Sequence, residues 1–385
     1  MREDWDIRLF KDVFDLQMGK TPDRMNFSLF EGDNTWVSIK DLDGKYISSS
    51  KECISDEAAK NIKLVKRGTV IMSFKLTVGK TAIAGKDLYT NEAIMAFNLR
   101  NGYDIDASFL YYYLKNYRWE GSNKAVMGIT LNKATISKHK IAIPPKPTQL
   151  SIVSELDKLN ELIRIKKEQL KDYDTLAQSI FYEMFGDPVV NEKGWEVMSL
   201  GDICEITSSK RVFANEYVDM GVPFYRSKEV IEKSKQLPIS VELYISESHY
   251  DKIKSSFGVP QIGDILVTAV GTIGKIWVVD TNEPFYFKDG NLVWLRKIKG
   301  VHSEYFRYSL FYLIDEYKKV NANGAAYNAL TIAKLKLMLC PLPPLSLQQS
   351  FAHKIEQIER QKTAVQRTIK DLETLLAVRM QYWFE

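Results

Sequence analysis

The sequence predicts an α+β protein that consists of two tandem copies of one unit, each a mixed α/β domain followed by a long helix. Matching segments recur in the same order in the two halves of the 385-residue chain, which indicates an internal repeat. Short runs rich in Val, Ile, Tyr and Phe, separated by Gly, Asn and Asp, fill the first part of each half and are typical of strands and turns. An apolar stripe with alternating spacings of three and four residues closes each half and predicts a long helix.

The repeat is clearest where the domain of each half gives way to the helix. The segment PPKPTQLSIVSELDKL begins at Pro144, and the similar segment PPLSLQQSFAHKIEQI begins at Pro343. Earlier in each half, TVGK at 77–80 matches TIGK at 272–275. The offset between matching segments drifts from about 190 to about 199 residues, as small loop insertions in one copy would produce. The proline pairs stop any helical pattern from running in from the preceding strand.

The phrases TVGK and TIGK are similar to part of a nucleotide-binding loop, but they do not meet its requirements. A phosphate loop of the form G-x-x-x-x-G-K-[ST] needs a first glycine whose backbone N–H groups turn toward the phosphates. Phe74 and Ala269 occupy that position in the two copies. We therefore expect these phrases to be turns between strands.

The repeat divides the chain into four segments. Residues 1–146 are predicted to form the first domain and residues 147–187 the first spacer helix. Residues 188–345 are predicted to form the second domain and residues 346–385 the second spacer helix.

The two spacer helices are predicted to pair with each other as an antiparallel coiled coil, which gives the chain internal pseudo-twofold symmetry. Each stripe is narrow and mostly apolar, which suits a partner helix. The alternative is that each helix packs on its own domain. A helix of some 36 residues is about 54 Å long. The residues predicted to form the pairing face are Leu156, Leu159, Ile163, Leu170, Tyr173 and Ile180 in the first helix, and Ile355, Ile358, Val365, Ile369, Leu372 and Leu376 in the second.

Composition excludes several classes of protein. Hydrophobic residues make up 45% and charged residues 26% of the chain, as in an ordinary soluble protein. No run of about 18 apolar residues predicts a membrane span, and the charged N-terminus lacks a signal core, so we expect a cytoplasmic protein. The three cysteines and four histidines match no metal-ligand spacing, so no metal site is predicted. The net charge of +4 is compatible with a nucleic-acid partner but does not demand one.

The order of a variable domain, a PP…Q helix, a second variable domain and a second PP…Q helix resembles the specificity (S) subunit of type I restriction-modification systems. The GTIGK turn at 271–275 and the segment NALTIAKLKLMLCPLPPLSLQQ at 328–349 are also similar to that family. The first copy departs from the pattern, since LTVGK lacks the leading glycine and KPTQ lacks an acidic residue before the glutamine.

This resemblance implies a subunit that binds double-stranded DNA without catalysing a reaction. The two domains would be target-recognition domains, each reading one half of a bipartite, asymmetric site. The helices would set the spacing of the half-sites and dock two methyltransferase (M) subunits, and restriction (R) subunits could join the complex. S-adenosylmethionine, Mg²⁺ and ATP would be bound by those partners rather than by this chain.

The residues themselves predict no catalytic group. The nearest approaches to the base-holding loop of an adenine methyltransferase, [DNS]-P-P-[YFW], are DPVV at 187–190 and IPPK at 143–146, and neither fits. No glycine-rich cofactor turn and no nuclease constellation stands out. The alternatives are a solitary methyltransferase or nuclease, the specificity subunit of a methyltransferase-only or type II-like system, and a scaffold that does not bind DNA.

Candidate DNA-binding residues come from four pairs of polar turns that match between the copies, because phosphate contacts need cations and base edges need polar side chains. The first pair supplies Lys20 and Arg24 with Lys210 and Arg211, the second Lys40 with Arg226 and Lys228, the third Lys75, Thr77 and Lys80 with Thr272 and Lys275, and the fourth Thr130 and Asn132 with Tyr327 and Asn328. In the third pair we also expect backbone N–H groups of the glycine turn to be free to meet a phosphate. For any one of these residues, the alternative is a solvated surface position.

Overall fold

The computed structural model describes residues 4–119, 123–125, 128–321 and 329–385. Contacts divide the chain into two units: unit 1 comprises Met1–Glu168 and Gln366–Glu385, and unit 2 comprises Gln169–Val365. Each of the two long helices therefore contributes one part to unit 1 and the other part to unit 2.

Unit 1 contains a five-stranded sheet, a three-stranded sheet and two strand pairs. Its strands, numbered in chain order, are β1 (Asp6–Leu9), β2 (Phe14–Met18), β3 (Asn34–Val37), β4 (Tyr46–Ile47), β5 (Glu52–Ile54), β6 (Val70–Ser73), β7 (Thr81–Ala84), β8 (Tyr89–Thr90), β9 (Ile94–Leu99), β10 (Asn123–Ala125), β11 (Gly128–Thr130) and β12 (Lys140–Ile143). Its short helices are α1 (Phe10–Val13), α2 (Asp56–Ala59), α3 (Ala107–Asn116) and α4 (Lys133–Lys138). The sheet orders are β2-β9-β6-β7-β4 and β5-β3-β8, and β1 pairs with β12 and β10 with β11.

The long helix α5 (Lys146–Phe185) leads into unit 2, which repeats this plan with two four-stranded sheets. Its strands are β13 (Val197–Ser199), β14 (Glu205–Thr207), β15 (Tyr217–Val218), β16 (Val222–Tyr225), β17 (Tyr244–Ile245), β18 (Ile265–Thr268), β19 (Ile276–Val278), β20 (Tyr286–Phe287), β21 (Leu292–Arg296) and β22 (Leu339–Pro341). Its helices are α6 (Leu200–Ile203), α7 (Ser227–Ser234), α8 (Glu247–Phe257), α9 (Ser303–Val320) and α10 (Ile332–Leu337), followed by the long helix α11 (Leu345–Phe384). The sheet orders are β14-β21-β18-β19 and β15-β17-β16-β20.

The central strands of both units are buried on both faces. In β6, Val70 and Met72 pack into one hydrophobic cluster and Ile71 packs into another. In β18, Ile265 and Leu266 likewise enter different clusters. A strand that is covered on both faces reads as a continuous apolar run rather than an alternating one, which is why these segments are uniformly hydrophobic.

The two long helices pair antiparallel, as predicted. In unit 1, the carboxylate of Glu155 accepts hydrogen bonds from the Arg379 guanidinium, with 2.9 Å between Nη2 and Oε2, so the start of α5 lies beside the end of α11. In unit 2, the Lys362 ammonium lies 2.8 Å from Asp174, so a later part of α5 meets an earlier part of α11. Within unit 1 the Lys167 ammonium also lies 2.7 Å from Glu373, and within unit 2 Phe181 also packs on Phe351. In each unit, therefore, residue numbers rise along one helix as they fall along the other, which only an antiparallel pair produces.

Every residue of the predicted pairing face is buried or half-buried. Leu156, Leu159, Ile163, Ile355, Ile358, Val365 and Ile369 are buried, and Leu170, Tyr173, Ile180, Leu372 and Leu376 are half-buried. Near the end of α5, however, the most deeply buried residues are Phe181 and Phe185 rather than Ile180. Phe181 contacts α9 through Tyr305 and α11 through Phe351, with ring centroids 5.8 and 5.5 Å apart. The helix therefore packs on its neighbouring domain as well as on its partner helix, and this second contact shifts the buried face.

A buried glutamine anchors the start of α5 to the domain of unit 1. The side chain of Gln149 is 1% exposed. Its amide oxygen accepts a hydrogen bond from the Asp106 N–H at 2.8 Å, and its amide nitrogen donates to the carbonyls of Pro144 at 2.9 Å and Asp104 at 3.1 Å. The amide thus ties the proline turn to the N-terminus of α3.

Gln348 does the same in unit 2, at the fourth residue of α11. It is 0% exposed, accepts from the His302 N–H at 2.8 Å, and donates to the Pro343 carbonyl at 2.7 Å. Buried polar groups must find partners inside the protein, so this pair of contacts accounts physically for the recurring PP…Q segment.

Candidate nucleic-acid interface

The TIGK turn in unit 2 is held closed by the last residue of β18. The carbonyl of Thr268 accepts from the Gly274 N–H at 2.9 Å, and its hydroxyl oxygen accepts from the Lys275 N–H, also at 2.9 Å. The same hydroxyl donates to the carbonyl of Thr272. Gly274 has φ of +82°, and a Cβ atom there would lie 2.8 Å from the side chain of Ile314. Only glycine suits both demands.

Unit 1 builds the equivalent turn around Ser73. Its carbonyl accepts from the Gly79 N–H at 2.9 Å, its hydroxyl oxygen accepts from the Lys80 N–H at 3.1 Å, and its hydroxyl donates to the Thr77 carbonyl. The TVGK and TIGK segments therefore form the same turn in the two units, as predicted from the sequence.

The expectation that this turn offers free backbone N–H groups to a phosphate is wrong for its Gly-Lys pairs. Each of those N–H groups donates to the serine or threonine that closes the turn. These two N–H groups of each turn are therefore not available to a phosphate. Thr77, Lys80 and Thr272 are exposed, whereas Lys75 is half-buried, with its ammonium 5.5 Å from the centre of the Phe74 ring.

Lys275 lines a cleft of about 560 Å³ in unit 2, between the sheet, α7, α9 and the long helices. Acidic groups share this cleft, including Glu304 and Glu359, and the Arg307 guanidinium is bound to Glu304 at 2.8 Å. The mixed charge of the lining makes this a poor surface for a polyanion. The acidic lining favours Lys80 over Lys275 as a candidate phosphate contact.

The two cations in the first basic turn of unit 1 differ. Arg24 is paired with a carboxylate, whereas Lys20 is not paired with any described carboxylate. Arg24 forms a bidentate ion pair with Glu52, at 2.6 and 3.0 Å, and its guanidinium lies 4.4 Å from the Phe30 ring centre. The hydrogen bond from Arg24 holds the pKa of Glu52 below its usual value, against the opposing effect of burial. Lys20 is exposed and forms no ion pair within the described ranges. Its carbonyl accepts from Trp36 Nε1 at 3.1 Å, which fixes the backbone of the turn.

In the matching turn of unit 2, both cations contact other side chains. The Lys210 ammonium lies 4.2 Å from the centre of the Phe257 ring, and the Lys210 N–H donates to the Tyr286 hydroxyl at 2.7 Å. Arg211 binds Asp289 at 2.8 Å, although the Arg211 side chain remains 68% exposed.

The second pair of turns also differs between the units. Lys40 is exposed in the 3₁₀ helix Ile39–Asp41 and, in the described part of the chain, has no ion pair. Arg226 and Lys228 both bind Glu242, at 2.9 and 2.7 Å, and Arg226 also binds the buried Glu229. Hydrogen bonds from Lys228 and Arg226 lower the pKa of Glu242. A phosphate would have to displace these carboxylates.

The structure describes the fourth pair in unit 1 only. Asn132 caps α4 by accepting from the Thr135 N–H at 2.8 Å. Thr130 lies in β11, opposite Asn123 in β10. Tyr327 and Asn328 lie outside the described residues.

Six of the nominated cations form no ion pair with any described residue: Lys20, Lys40, Lys75, Lys80, Lys210 and Lys275. The nominated arginines and Lys228 are paired with carboxylates. Sequence reasoning could not separate these two groups, because the carboxylate partners lie elsewhere in the sequence. It also missed the outward-facing aromatic residues of the first turns, Phe27 and Phe213, which are 76% and 60% exposed.

Other chemistry is sparse in the described residues. No cluster of three or more metal-ligating side chains occurs among them, and none of their helices carries an apolar stretch long enough to cross a membrane. Cys204 and Cys340 are buried, and desolvation raises the pKa of each thiol to about 12, which suppresses the reactive thiolate.

Comparison with known proteins identifies the family. The family model described as "Type I restriction modification DNA specificity domain" matches residues 2–172 and 192–374. A type I restriction enzyme specificity subunit of Methanocaldococcus jannaschii is 27% identical over 256 residues, covering 60% of this chain and 59% of that protein. A putative specificity subunit of Haemophilus influenzae is 28% identical over 260 residues, covering 66% and 65%. The matched region thus spans about three fifths of the length of these curated relatives.

Solved structures agree with this fold. A chain from a structural study of complex assembly and conformational transition of the type I R-M system matches with a TM-score of 0.66 and 21% identity, covering 100% of this chain and 98% of that chain. The crystal structure of the S subunit of a type I restriction-modification system from M. genitalium matches with a TM-score of 0.54 and 15% identity, covering 99% and 96%. Since the family model matches both repeats, the chain belongs to the type I restriction-modification DNA specificity domain family.

Proposed function

We propose that this chain is the DNA-reading subunit of a type I restriction-modification complex, and that it has no catalytic activity of its own. Each domain contacts one half of a bipartite, asymmetric site. The long helices set the spacing between the half-sites and dock two M subunits, which bind S-adenosylmethionine. With R subunits, which use ATP and Mg²⁺, the complex cleaves DNA that lacks methylation.

The observation that carries this proposal is the match of one DNA-specificity family model to both repeats. The repeats share their architecture but differ in their polar turns. In the first turn, unit 1 presents the open cation Lys20, whereas unit 2 presents Lys210 beside an aromatic ring and Arg211 beside a carboxylate. Two recognition domains that share a fold but differ in the polar residues of their turns suit a target whose halves differ in sequence.

Phosphate binding by this surface rests on its side chains. Lys20, Lys40 and Lys80 are exposed on unit 1 and are not neutralised by a carboxylate in the described residues. Such lysines release counterions when they bind phosphates, which supplies affinity that is independent of sequence. Base-edge contacts must then come from the other polar groups of the same turns.

The decisive experiment exchanges the target-recognition domain of unit 2. Residues 190–345 are replaced by the matching segment of a relative, the chimera is expressed with its M subunits, and methylated adenines are mapped across the genome. We expect one half of the recognised site to change and the other half and the methylation activity to persist. A change in both halves, or in neither, would contradict the two-reader proposal. Methyl transfer by the purified chain alone would contradict its non-catalytic role.

A further inference from the structure

Each unit exposes two large apolar side chains on the connection that follows its first basic turn, and we call each such pair a tip. In unit 1 the tip consists of Met25 and Phe27, which are 84% and 76% exposed. In unit 2 it consists of Phe213 and Met220, which are 60% and 86% exposed. Neither phenylalanine ring is paired with another aromatic ring among the described residues.

The two tips occupy equivalent places in the fold. Each lies on the connection from the strand that ends in the first basic turn, β2 or β14, to the next long strand, β3 or β16. Each phenylalanine sits at the start of a 3₁₀ helix: Phe27 is the first residue of Phe27–Phe30, and Phe213 is the N-cap of Ala214–Glu216. The strands that follow are equivalent too, since β3 pairs parallel with β8 and β16 pairs parallel with β20.

The connections are anchored, so the exposed rings are held in place rather than carried on free loops. In unit 1, Phe30 packs on Trp36, with ring centroids 5.9 Å apart. In unit 2, Tyr217 packs on Phe224 at 5.3 Å. Each connection thus carries one aromatic residue that packs on a buried aromatic ring, Phe30 or Tyr217, and one that is exposed, Phe27 or Phe213.

A single exposed apolar residue is ordinary on a protein surface. Here, however, a phenylalanine and a methionine are exposed on the same connection in both units, although the two connections, PDRMNF and KRVFANEYVDM, share little sequence. Both tips also follow the first basic turns closely in the chain, Phe27 three residues after Arg24 and Phe213 two residues after Arg211, and those turns carry candidate DNA-binding residues. A flat apolar ring next to phosphate-binding groups fits the gap between stacked base pairs, where proteins insert Phe and Met side chains as wedges.

We propose that Phe27 and Phe213 are base-stack wedges, one for each half-site. Each ring inserts between adjacent base pairs, with Met25 or Met220 packing against the neighbouring sugar and base edge. The unstacked step is deformed, and steps that unstack easily are favoured. The wedges would thereby add sequence preference at positions where no polar side chain contacts a base. This inference rests on the proposed function and names residues that carry it out.

The test uses the chain assembled with its M subunits and duplexes that carry the site mapped by adenine methylation. 2-Aminopurine is placed at successive positions of each half-site, because its fluorescence rises when it is unstacked. The wild-type complex is expected to raise the fluorescence at one step in each half. Phe27→Ala should abolish the signal in the half read by unit 1 alone, and Phe213→Ala should abolish the signal in the other half alone.

Affinity gives a second readout. Each alanine variant should weaken binding roughly 5- to 150-fold, the range for removing one aromatic ring that stacks on a base. The dependence of affinity on salt should not change, because no charge is removed. Phe27→Trp retains a flat ring and should restore most of the affinity. Tyr46→Ala in unit 1 and Leu337→Ala in unit 2, at side chains 60% and 79% exposed, are matched controls that should bind as the wild type does.

The inference is overturned if both alanine variants bind with wild-type affinity and leave the fluorescence pattern unchanged, while the wild-type complex still recognises its site. It is also overturned if the variants weaken association with the M subunits instead of DNA binding, since the tips would then be protein contacts. If the wild-type complex shows no preference for any DNA site, the proposed function itself fails.

Discussion

The buried glutamines at the start of the long helices provide a quantitative test of how each helix is anchored. We consider Gln149→Ala and Gln348→Ala as a matched pair. Gln149 makes three hydrogen bonds to backbone groups and Gln348 makes two. In both variants these backbone groups lose their side-chain partner, because alanine can neither donate nor accept from its side chain.

The magnitudes follow from the number of bonds. One intramolecular hydrogen bond contributes about 1 kcal/mol to stability. Gln149→Ala should therefore lower the free energy of unfolding of unit 1 by about 3 kcal/mol, and Gln348→Ala should lower that of unit 2 by about 2 kcal/mol. For domains of this size, 1 kcal/mol corresponds to about 2–4 °C in Tm. The expected decreases in Tm are thus about 6–12 °C and about 4–8 °C.

Thermal unfolding measures the overall decrease in stability, and amide hydrogen exchange at Asp106 and His302 assigns it to unit 1 or unit 2. Gln178→Ala is the control, because Gln178 is exposed on α5 and surface changes typically alter stability by less than about 0.5 kcal/mol. If Gln149→Ala lowers Tm no more than Gln178→Ala does, the buried amide does not anchor the helix. Equal effects at the two sites would contradict the bond-by-bond reasoning.

Two further predictions concern charge. Changing Lys20, Lys40 and Lys80 together to alanine should weaken DNA binding by the assembled complex and reduce the slope of log affinity against log salt by about 0.9 for each phosphate that the protein no longer neutralises; an unchanged slope would exclude these lysines from the interface. The control changes three exposed lysines of unit 1 outside the candidate set, Lys60, Lys63 and Lys86. Hydrogen bonds from Arg379 lower the pKa of Glu155, so this carboxylate stabilises the helix pair above its unfolded pKa, and the contribution disappears as pH falls through the lower folded value. Glu155→Gln should therefore be less stable than the wild type in urea titrations at neutral pH, with the difference shrinking below about pH 4; a difference that does not vary with pH would refute the assignment.

The pairing of the long helices could be predicted because its cause is local. Apolar residues spaced three and four apart place a stripe on one face of any helix, and the stripes at 152–184 and 351–383 are visible in the sequence alone. The position of that face near the end of α5 could not be predicted. Phe181 and Phe185 replace Ile180 as its most buried residues because α9 supplies a second packing surface there.

For the candidate interface too, some features could be predicted from the sequence and others could not. The turn residues could be nominated from matching phrases, but the state of each cation depends on a distant partner. Glu52 lies 28 residues from Arg24, and Asp289 lies 78 residues from Arg211. The hydrogen bonds by which Thr268 closes the glycine turn could not be predicted either. The sequence does not show which N–H groups will donate to a threonine at the end of a buried strand.

By itself, the sequence determined that the protein is a duplication and in which order its domains and helices follow one another. These properties depend on residue order and on local periodicity, which survive in the unfolded chain. Only the tertiary structure decided which lysines remain open, which backbone groups are already satisfied and which aromatic rings face outward. Those properties depend on contacts between residues that are far apart in the chain, and such contacts exist only once the sheets and helices have packed.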